Sequence, residues 1–480
     1  MMRHKVKRVH FVGIGGIGMS GIAEVLLSLG YQISGSDLKA SAITRSLERL
    51  GATVHLGHSA SNLAEADVVV VSSAVRPDNP EVAAALARGI PVIPRAEMLA
   101  ELMRMKQGIA VAGTHGKTTT TSMLATVLRA AGLDPTVVIG GKLASLGSNA
   151  RLGQGEILVA EADESDGSFL KLSPTYAVVT NIDPEHLDHY GQFEAVKEAF
   201  VAFMNRVPFY GMTAAGLDHP VVREILPRVS RRVVTYGENE AARVRGVEIA
   251  GERGGCGLTV VSAGRSLGRI HLGMPGKHNA LNALAAIAVG LELELPFPIV
   301  AQALEGFSGV HRRFEVKATV AGVTVVDDYG HHPAEIAATL LAAREFLGQS
   351  NNASSDRFQT DRTERKRIIA VFQPHRYTRT RDLLPEFARA FSVPELLVVT
   401  EIYAASEDPI PGVSGERLFA AIAAERKRQG LLTWFVAERA EIAERLLPEL
   451  RPGDLVLTLG AGNIWEVGEE LVARWEGKGS

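Results

Sequence analysis

Short apolar runs recur along this chain, and each is followed by a turn rich in glycine or polar residues. Continuous apolar runs of this length are typical of parallel strands that are buried on both faces. They predict strands at residues 9–12, 31–34, 67–73, 91–93, 109–112, 157–160, 177–180, 323–327, 367–372 and 455–459. Segments with helical spacing of apolar residues lie between them, at residues 19–29, 79–88, 334–346 and 464–473. This alternation predicts an α/β fold built on mostly parallel sheets.

The chain has 480 residues, which is too long for a single hydrophobic core. At about 100–200 residues per domain, the length predicts about three domains. We place them at residues 1–106, 107–314 and 315–480. Residues 348–366 are polar and lack periodicity, so we expect a disordered surface insertion within the third domain.

Composition narrows the classes of function. The net charge is −3 and both signs are spread along the chain, so the sequence lacks the basic face that nucleic acids require. The single cysteine, Cys256, excludes an intramolecular disulfide and a multi-cysteine metal site. It lies in a glycine-rich stretch where we expect a turn, and we interpret it as a bystander. The sequence has no apolar run long enough for a membrane span, so we expect a cytoplasmic protein.

A first glycine-rich turn, GIGGIG at residues 13–18, follows the first predicted strand and precedes a predicted helix. Asp37 stands roughly 20 residues further on, as in the dinucleotide-binding fingerprint. Taken alone, this pattern indicates an NAD site. The physical requirement is only a diphosphate at a helix N-terminus, however, and any nucleoside diphosphate would satisfy it.

A second glycine-rich turn, GTHGKT at residues 113–118, is the most informative motif in the chain. It joins a predicted strand to a predicted helix, although the loop is shorter than the usual Walker pattern. Backbone N–H groups would face nucleotide phosphates, Lys117 would reach the β- and γ-oxygens, and the Thr118 hydroxyl could ligate Mg²⁺. The motif predicts that the protein uses ATP. The predicted nucleotide-binding residues here are Gly113, Thr114, His115, Gly116, Lys117, Thr118 and Thr119.

Carboxylates and imidazoles follow two predicted strands of the central segment. Glu161 and Asp163 come directly after residues 157–160, and His186 follows residues 177–180. Ligands bind beyond the carboxyl ends of strands in open α/β sheets, and Mg²⁺ prefers hard oxygen ligands. These residues therefore predict a Mg²⁺ site, with solvated loop charges as the alternative.

Several other polar residues allow two interpretations each. Asn279 and Asn282 share one face near a predicted helix start, where they suit a purine edge, although N-capping by Asn279 is an equal alternative. The adjacent Arg312 and Arg313 could meet phosphate or mark a domain junction. Arg376 and Arg379 follow a predicted strand and indicate an anion clamp, with a solvated basic face as the alternative.

Nine motifs in this order resemble those of the Mur ligase family, and they run from Gly13 to Asn463. They are GIGGIGMSGIAEVL, GTHGKTTTT, EADESDGSFL, TNIDPEHLDHY, GKHNALNALAAIA, GVHRRFE, DDYGHHPAEI, FQPHRYTRT and LGAGNI. The resemblance implies an N-terminal Rossmann-like domain for a UDP-sugar, a central P-loop ATPase and a C-terminal Rossmann-like domain that closes. It therefore favours UDP over NAD at the first turn.

The resemblance also implies a role for individual residues. Lys117 and Thr118 would hold the γ-phosphate and the first Mg²⁺, Glu161 would bridge metals, and His186 would ligate a second metal. The residues that would hold the UDP-sugar are Gly15, Gly16, Asp37 and Ser72. Asn279 and Asn282 would face adenine, Arg313 would contact the phosphates, and Asp328 would contact the ribose. His331, Arg376 and Arg379 would reach from the third domain toward the reacting carboxylate and phosphate, and His331 is a candidate base.

Among Mur ligases, the motifs resemble most those of the member that joins L-alanine to UDP-N-acetylmuramate in peptidoglycan synthesis. The resemblance implies ATP and Mg²⁺ as cofactors, an acyl-phosphate intermediate, and a monomer or weak homodimer. Other family members use a carbamylated lysine beside the second metal. This sequence has no lysine at the corresponding place, and we do not predict that modification.

Three alternatives remain at this point. One is the recycling ligase of the same family, which joins the same UDP-sugar to a whole tripeptide, although Ser165 favours the alanine enzyme. Another is an NAD-dependent oxidoreductase that uses residues 13–18, which would leave Lys117 and Glu161 unexplained. The last is a nucleotide-switch binding module that needs ATP but no carboxylate substrate.

Overall fold

The computed structural model describes residues 5–72, 75–76, 78–139, 150–252, 254–349, 366–405 and 407–476. Within these ranges the chain forms two compact units. The first unit consists of the described residues within Met1–Glu248, Leu258–Ile270 and Leu281–Val310. The second consists of those within Ile249–Gly257, His271–Ala280 and His311–Ser480. Most of the predicted insertion at residues 348–366 lies outside the described residues.

The N-terminal sheet has five strands in the order β3-β2-β1-β4-β5, and all its neighbours are parallel. The strands are β1 Arg8–Val12, β2 Gln32–Asp37, β3 Thr53–Leu56, β4 Val68–Val71 and β5 Val92–Pro94. The helices are α1 Ile17–Ser28, α2 Ala42–Arg49, α3 Pro80–Ala87 and α4 Arg95–Arg104. The strand order reverses between β1 and β4, which places a crevice beyond the carboxyl end of β1.

The central sheet has ten strands in the order β15-β14-β13-β12-β11-β10-β6-β9-β7-β8. The strands are β6 Gln107–Ala112, β7 Thr136–Val138, β8 Ala150–Arg151, β9 Ile157–Glu161, β10 Tyr176–Val179, β11 Met212–Gly216, β12 Val233–Gly237, β13 Val244–Glu252, β14 Gly255–Ser262 and β15 Arg265–Leu272. Its helices are α5 Lys117–Ala130, α6 Leu187–Tyr190, α7 Phe193–Met204, α8 Pro220–Ile225, α9 Lys277–Glu292 and α10 Phe297–Glu305. Strand β6 lies between β9 and β10 and is parallel to both, so the carboxyl ends of these three strands meet at one edge.

The third sheet has six strands in the order β16-β17-β21-β18-β19-β20. The strands are β16 Glu315–Val320, β17 Val323–Asp328, β18 Ile368–Phe372, β19 Leu396–Val399, β20 Leu432–Phe435 and β21 Leu455–Leu459. The helices are α11 Pro333–Phe346, α12 Tyr377–Asp382, α13 Leu384–Ala390, α14 Gly415–Lys427, α15 Arg439–Leu446 and α16 Trp465–Glu476. Only the β16–β17 pair is antiparallel among the strand pairs of this sheet, and β16 lies at its edge.

The predicted fold class is confirmed, because three mostly parallel sheets alternate with helices along the chain. Strand β2 is longer than predicted and carries Asp37 as its last residue. Gly35 permits this extension, since a Cβ there would lie 2.7 Å from the Phe11 carbonyl oxygen. The interruption that glycine makes in the apolar pattern therefore marks close packing against β1 rather than the end of the strand.

The turn expected around Cys256 was wrong. Cys256 is buried within β14, with 1% of its surface exposed. The glycines beside it reflect tight packing, because a Cβ on Gly255 would lie 1.9 Å from the Leu272 carbonyl oxygen. A glycine-rich stretch in a strand can mark such close approach, and the sequence pattern alone does not distinguish it from a turn.

Candidate functional site

The first glycine-rich turn lies at the crevice of the N-terminal sheet, where the strand order reverses. It joins β1 to α1, whose N-cap residue is Gly16. The Gly15 N–H donates to the Asp37 carboxylate at 2.8 Å, so the end of β2 meets the turn directly. Ser72 follows β4, and a Cβ on Gly13 would lie 3.6 Å from its Cβ. The structure thus brings together all four residues that were predicted to hold the UDP-sugar, and their contacts with a ligand stay a prediction.

A buried carboxylate near this turn was missed by the sequence analysis. Glu81 is fully buried on α3 and accepts hydrogen bonds from Ser36 Oγ at 2.5 Å, Asn62 Nδ2 at 2.6 Å and the Ser59 N–H at 3.1 Å. Burial by itself would raise the pKa of Glu81, but its hydrogen bonds, including one with His10, lower that pKa to about 2. The carboxylate therefore stays ionised and holds the ends of several loops together. A single glutamate in a helical pattern gave no signal of this role.

The second glycine-rich turn joins β6 to α5, and two of its glycines are required by geometry. Gly116 is the N-cap residue of α5 and has a φ of 82°, in the left-handed region. Gly113 has a φ of 137°, and a Cβ there would lie 2.0 Å from Thr180 Oγ1. Such backbone conformations favour glycine. The predicted strand, turn and helix are present, and the N-terminus of α5 opens beside the turn. Thr119 is buried in the first turn of this helix.

Residues after β10 fix the backbone of this turn. The His115 N–H donates to Asn181 Oδ1 at 2.7 Å, and Asn181 Nδ2 donates to the His115 carbonyl at 3.0 Å. The Thr180 hydroxyl donates to the same carbonyl at 2.6 Å, and the Asp183 N–H donates to Thr114 Oγ1 at 2.8 Å. Asn181 had no predicted role, although it belongs to the polar run that follows the strand. The shape of the loop is therefore set by a neighbouring strand end.

Lys117 is held against its own loop in this structure. Its ammonium donates to the Gly113 carbonyl at 2.6 Å, to the Thr114 carbonyl at 3.2 Å and to Glu164 Oε1 at 2.8 Å. Burial by itself would lower the pKa of Lys117, but the carboxylates of Glu164 and Glu161 outweigh it and raise that pKa. Lys117 is therefore a cation at neutral pH beside a helix N-terminus, a place that favours anions, and its contact with phosphates stays a prediction.

The predicted Mg²⁺ ligands lie together at the same edge of the sheet. Thr118 Oγ1 is 3.1 and 3.2 Å from the two carboxylate oxygens of Glu161. His186 adopts a left-handed conformation with a φ of 58° as the N-cap residue of α6. Its Nε2 lies 3.8 Å from Glu164 Oε1 and 3.5 Å from Glu185 Oε2. A hydroxyl and carboxylates are the hard oxygen donors that Mg²⁺ prefers, so these residues fit that ion.

The two asparagines of α9 have different surroundings. Asn282 Oδ1 accepts from the Thr120 hydroxyl at 3.2 Å, and a Cβ on Gly116 would lie 2.5 Å from that oxygen. Asn282 thus packs against the second glycine-rich turn. Helix α9 begins at Lys277, so Asn279 lies inside it and its Nδ2 donates to the Pro275 carbonyl at 2.8 Å. This excludes N-capping by Asn279, and contact with adenine stays a prediction for both residues.

Arg312 and Arg313 both lie in the second unit, and the structure decides between the two interpretations, phosphate contact or domain junction, only in part. Arg312 is bound within this unit, since its guanidinium donates to Asp327 at 2.8 Å and to the Gly460 carbonyl at 2.6 Å. Arg312 and Arg313 lie over the Tyr329 ring, at 5.1 and 5.3 Å from its centroid. Arg312 is therefore a structural residue, and the phosphate role remains a prediction for Arg313.

Asp328 ends β17 and is almost fully buried. Its carboxylate accepts from the N–H groups of Phe314 and Gly330, both at 2.8 Å, and from the Thr339 hydroxyl at 3.2 Å. Burial raises the pKa of Asp328 to about 6, against the opposing effects of Arg313 and these hydrogen bonds. These contacts shape the turn after β17, and the predicted contact with ribose stays a prediction.

His331, Arg376 and Arg379 come together at the carboxyl edge of the third sheet. The rings of His331 and His375 lie 5.7 Å apart, and His375 stacks on Tyr403 with an angle of 8° between the ring planes. Arg379 Nη1 is 3.4 Å from His375 Nδ1. Burial, assisted by the nearby cations, lowers the pKa of His375 to about 3, so the imidazole is neutral at physiological pH.

Arg376 itself has a φ of 70°, which a residue with a side chain rarely adopts. Its N–H donates to the Tyr403 carbonyl at 2.9 Å, which helps to hold this strained backbone. Strain of this kind clusters at functional sites. Two arginines beside a neutral imidazole form an edge whose chemistry suits a carboxylate or phosphate, and the predicted contact with such an anion stays a prediction.

No helix of the described residues is both long and apolar enough to cross a membrane.

Three family models match consecutive parts of the chain. The Mur ligase family catalytic domain matches residues 8–107, the Mur ligase middle domain matches residues 111–290, and the Mur ligase glutamate ligase domain matches residues 312–462.

Similar proteins cover nearly the full length. The chain is 56% identical over 473 residues to the UDP-N-acetylmuramate–L-alanine ligase of Geotalea daltonii, which covers 98% of this chain and 99% of that protein. It is 55% identical over 481 residues to the enzyme of the same name from Sorangium cellulosum, covering 100% of this chain and 98% of that protein. Among solved structures, the UDP-N-acetylmuramate–alanine ligase of Thermotoga maritima is 31% identical with a TM-score of 0.80, covering 98% of this chain and 99% of that one.

Proposed function

The chain belongs to the Mur ligase family, and we propose that it joins L-alanine to the lactyl carboxylate of UDP-N-acetylmuramate with ATP as the energy source. The observation that carries this proposal is the likeness of about 55% over nearly the full length to ligases of that name. The glycine-rich turns at residues 13–18 and 113–118 support it, because both are of a kind that binds nucleotide phosphates. The reaction needs one nucleotide as the carrier of the sugar substrate and another as the phosphoryl donor.

The chemistry follows from the poor reactivity of a carboxylate toward an amine. The lactyl carboxylate would attack the γ-phosphate of ATP in line, which gives an acyl phosphate and ADP. The amine of L-alanine would then attack the activated carbonyl and expel phosphate. The contribution of the protein is to position the groups and to neutralise charge. Lys117 is the cation best placed for this within the first unit.

Thr118 and Glu161 are the residues that would hold Mg²⁺ beside this lysine, and His186 would ligate a second ion. A bound Mg²⁺ supplies charge neutralisation on the phosphates. The backbone N–H groups of the turn and the N-terminus of α5 add fixed positive potential to the same place. We further propose that the reaction takes place in the cytoplasm, and the oligomeric state stays a prediction of a monomer or weak homodimer.

Phosphate release tests the proposal directly. Purified protein with ATP and Mg²⁺ is assayed with each candidate amino acid or peptide, with and without UDP-N-acetylmuramate. We expect release only when UDP-N-acetylmuramate and an amino acid are both present, and we expect it to be fastest with L-alanine. Glycine and serine should be weaker substrates because one methyl or hydroxyl is worth only about 1–3 kcal/mol. A preference for L-alanyl-γ-D-glutamyl-meso-diaminopimelate would assign the chain to the recycling reaction instead. Micromolar binding of NAD⁺ or NADH would favour an oxidoreductase.

A further inference from the structure

Glu164 is the carboxylate closest to the chemistry to which the sequence analysis gave no role. Its side chain is 3% exposed, and its Oε1 lies 2.8 Å from Lys117 Nζ. Within the described part of the chain, its Oε2 is buried and has no hydrogen-bond partner. A buried oxygen without a partner is costly, so its position beside a cation that binds phosphate needs an explanation.

The ammonium of Lys117 is fully engaged in this structure. A lysine has three N–H donors, and the Gly113 carbonyl, the Thr114 carbonyl and Glu164 provide three acceptors. A nucleotide phosphate that binds Lys117 must therefore replace at least one of them. Glu164 is the ionisable acceptor of the three. Burial raises the pKa of its carboxyl group, whereas the Lys117 ammonium at 2.8 Å opposes that effect by favouring the carboxylate, and a carboxylate repels a phosphate strongly in a buried site.

Glu164 is also held in place by its own surroundings. The Tyr190 hydroxyl donates to the Glu164 carbonyl at 2.6 Å, which fixes the backbone from α6. The turn from Glu164 to Gly167 is closed by a backbone hydrogen bond of 3.1 Å. The carboxylate is thus a fixed neighbour of Lys117 rather than a mobile surface group.

We propose that Glu164 is a positioning residue that competes with nucleotide phosphates for the Lys117 ammonium. It holds the lysine over the turn in the free protein, and it lowers the affinity for nucleoside di- and triphosphates. The carboxylate thereby favours the release of ADP after each turnover, because it takes over the lysine as the phosphate leaves. This inference rests on the proposed binding of ATP at residues 113–119.

The test is the affinity for ADP of the wild type and of Glu164→Gln, measured by calorimetry in EDTA so that metal binding near His186 does not contribute. The neutral amide keeps the size of the side chain but cannot compete as an anion. We expect ADP to bind about tenfold more tightly to Glu164→Gln, and adenosine, which has no phosphate, to bind equally to both. Glu164→Leu removes the same charge and should shift ADP affinity in the same direction, so either variant suffices if the other does not fold. Glu164→Asp keeps the charge and should stay within about threefold of the wild type.

Asp166→Asn is the matched control, because Asp166 is an exposed carboxylate of the same loop whose Oδ1 accepts from the Ser168 N–H at 2.9 Å. It should change ADP affinity by less than about twofold. Unchanged or weaker ADP binding in folded Glu164→Gln and Glu164→Leu would overturn the inference, as would an equal gain for adenosine. A wild type that binds no ADP either in EDTA or with Mg²⁺ would instead contradict the proposed function on which the inference rests.

Discussion

The two glycine-rich turns of the first unit have the same plan and opposite electrostatics. Each joins a buried parallel strand to a helix N-terminus. In the first turn, a backbone N–H is already bound by a carboxylate, since Gly15 donates to Asp37. In the second turn, the backbone carbonyls are bound by a cation, since Gly113 and Thr114 accept from Lys117. The side chains delivered by neighbouring strands therefore decide the chemistry of a turn, and the turn alone does not.

The two turns also differ in why each has a glycine at the N-cap of its helix. Gly16 of the first turn has a φ of −64°, and a Cβ there would make ordinary contacts of 3.4 Å or more. Gly116 of the second turn has a φ of 82° and no room for a Cβ beside Asn282. We infer that Gly16 keeps space free for a ligand, whereas Gly116 is required by the fold itself.

Removing the cation that distinguishes the turns should have the largest effect. We expect Lys117→Ala to lower the rate of ligation by about 10²–10³-fold or more, because the transferred phosphoryl group loses a preorganised positive charge. Steady-state phosphate release at saturating ATP and Mg²⁺ measures it. Lys171→Ala is the control, since Lys171 is a partly exposed lysine paired with Glu97 at 3.3 Å, and it should leave the rate unchanged. A Lys117→Ala enzyme that kept more than about a tenth of wild-type turnover would show that the second turn is not the phosphoryl-transfer site.

Alanine variants of Gly16 and Gly116 should have intermediate effects. They distinguish a glycine that the fold requires from one that leaves space for a ligand. We expect Gly116→Ala to destabilise α5 by about 1–2 kcal/mol or more, because a left-handed backbone disfavours a side chain. Gly16→Ala should cost less than about 1 kcal/mol at α1. Hydrogen–deuterium exchange of peptides from the two helices measures both changes.

A larger side chain completes that pair of variants. Gly16→Val should raise the KM for UDP-N-acetylmuramate far more than the KM for ATP, since it fills space beside the first turn only. Equal destabilisation of α1 and α5 by the alanine variants would contradict the assignment of different roles to the two glycines.

A further prediction concerns Glu81, whose carboxylate holds Ser36, Ser59 and Asn62 near the first turn. Its pKa is lowered from 4.5 to about 2 in the folded protein. The stabilisation that it provides is therefore present above about pH 4.5 and is lost as the pH falls toward 2. We expect Glu81→Gln to lower stability at pH 7 by about 1–3 kcal/mol, the usual cost of disrupting a buried polar network. It should also flatten the loss of stability in acid.

Exchange of β1 and β2 peptides between pH 7 and pH 3 measures this contribution, with those of β6 as the internal reference. If the stability of the wild type and of Glu81→Gln fell in parallel as the pH is lowered, the proposed contribution of the Glu81 carboxylate would be ruled out.

The sequence by itself determined the class of fold and the places where chemistry occurs. Apolar runs that end in GIGGIG, GTHGKT and EADESD predicted strands, turns and helices that the structure confirms, because burial on two faces leaves a strong one-dimensional pattern. The motifs also indicated the family. Lys117 and Thr118 could be identified because they open a helix after a glycine-rich turn, and Glu161 because it stands at the carboxyl end of a strand. Parallel strands bring their carboxyl ends to one edge of the sheet.

Only the tertiary structure decided how these residues are held. Asn181 fixes the second glycine-rich turn, Glu81 fixes loops near the first turn, and Glu164 binds Lys117 from 47 positions along the chain. It also showed that Cys256 lies in a strand and that Arg312 is bound within its own unit. These features depend on which strand ends become neighbours, and on the burial that results. Neither property is encoded in a local pattern, because hydrogen-bond partners far apart in sequence meet only when the sheets have formed.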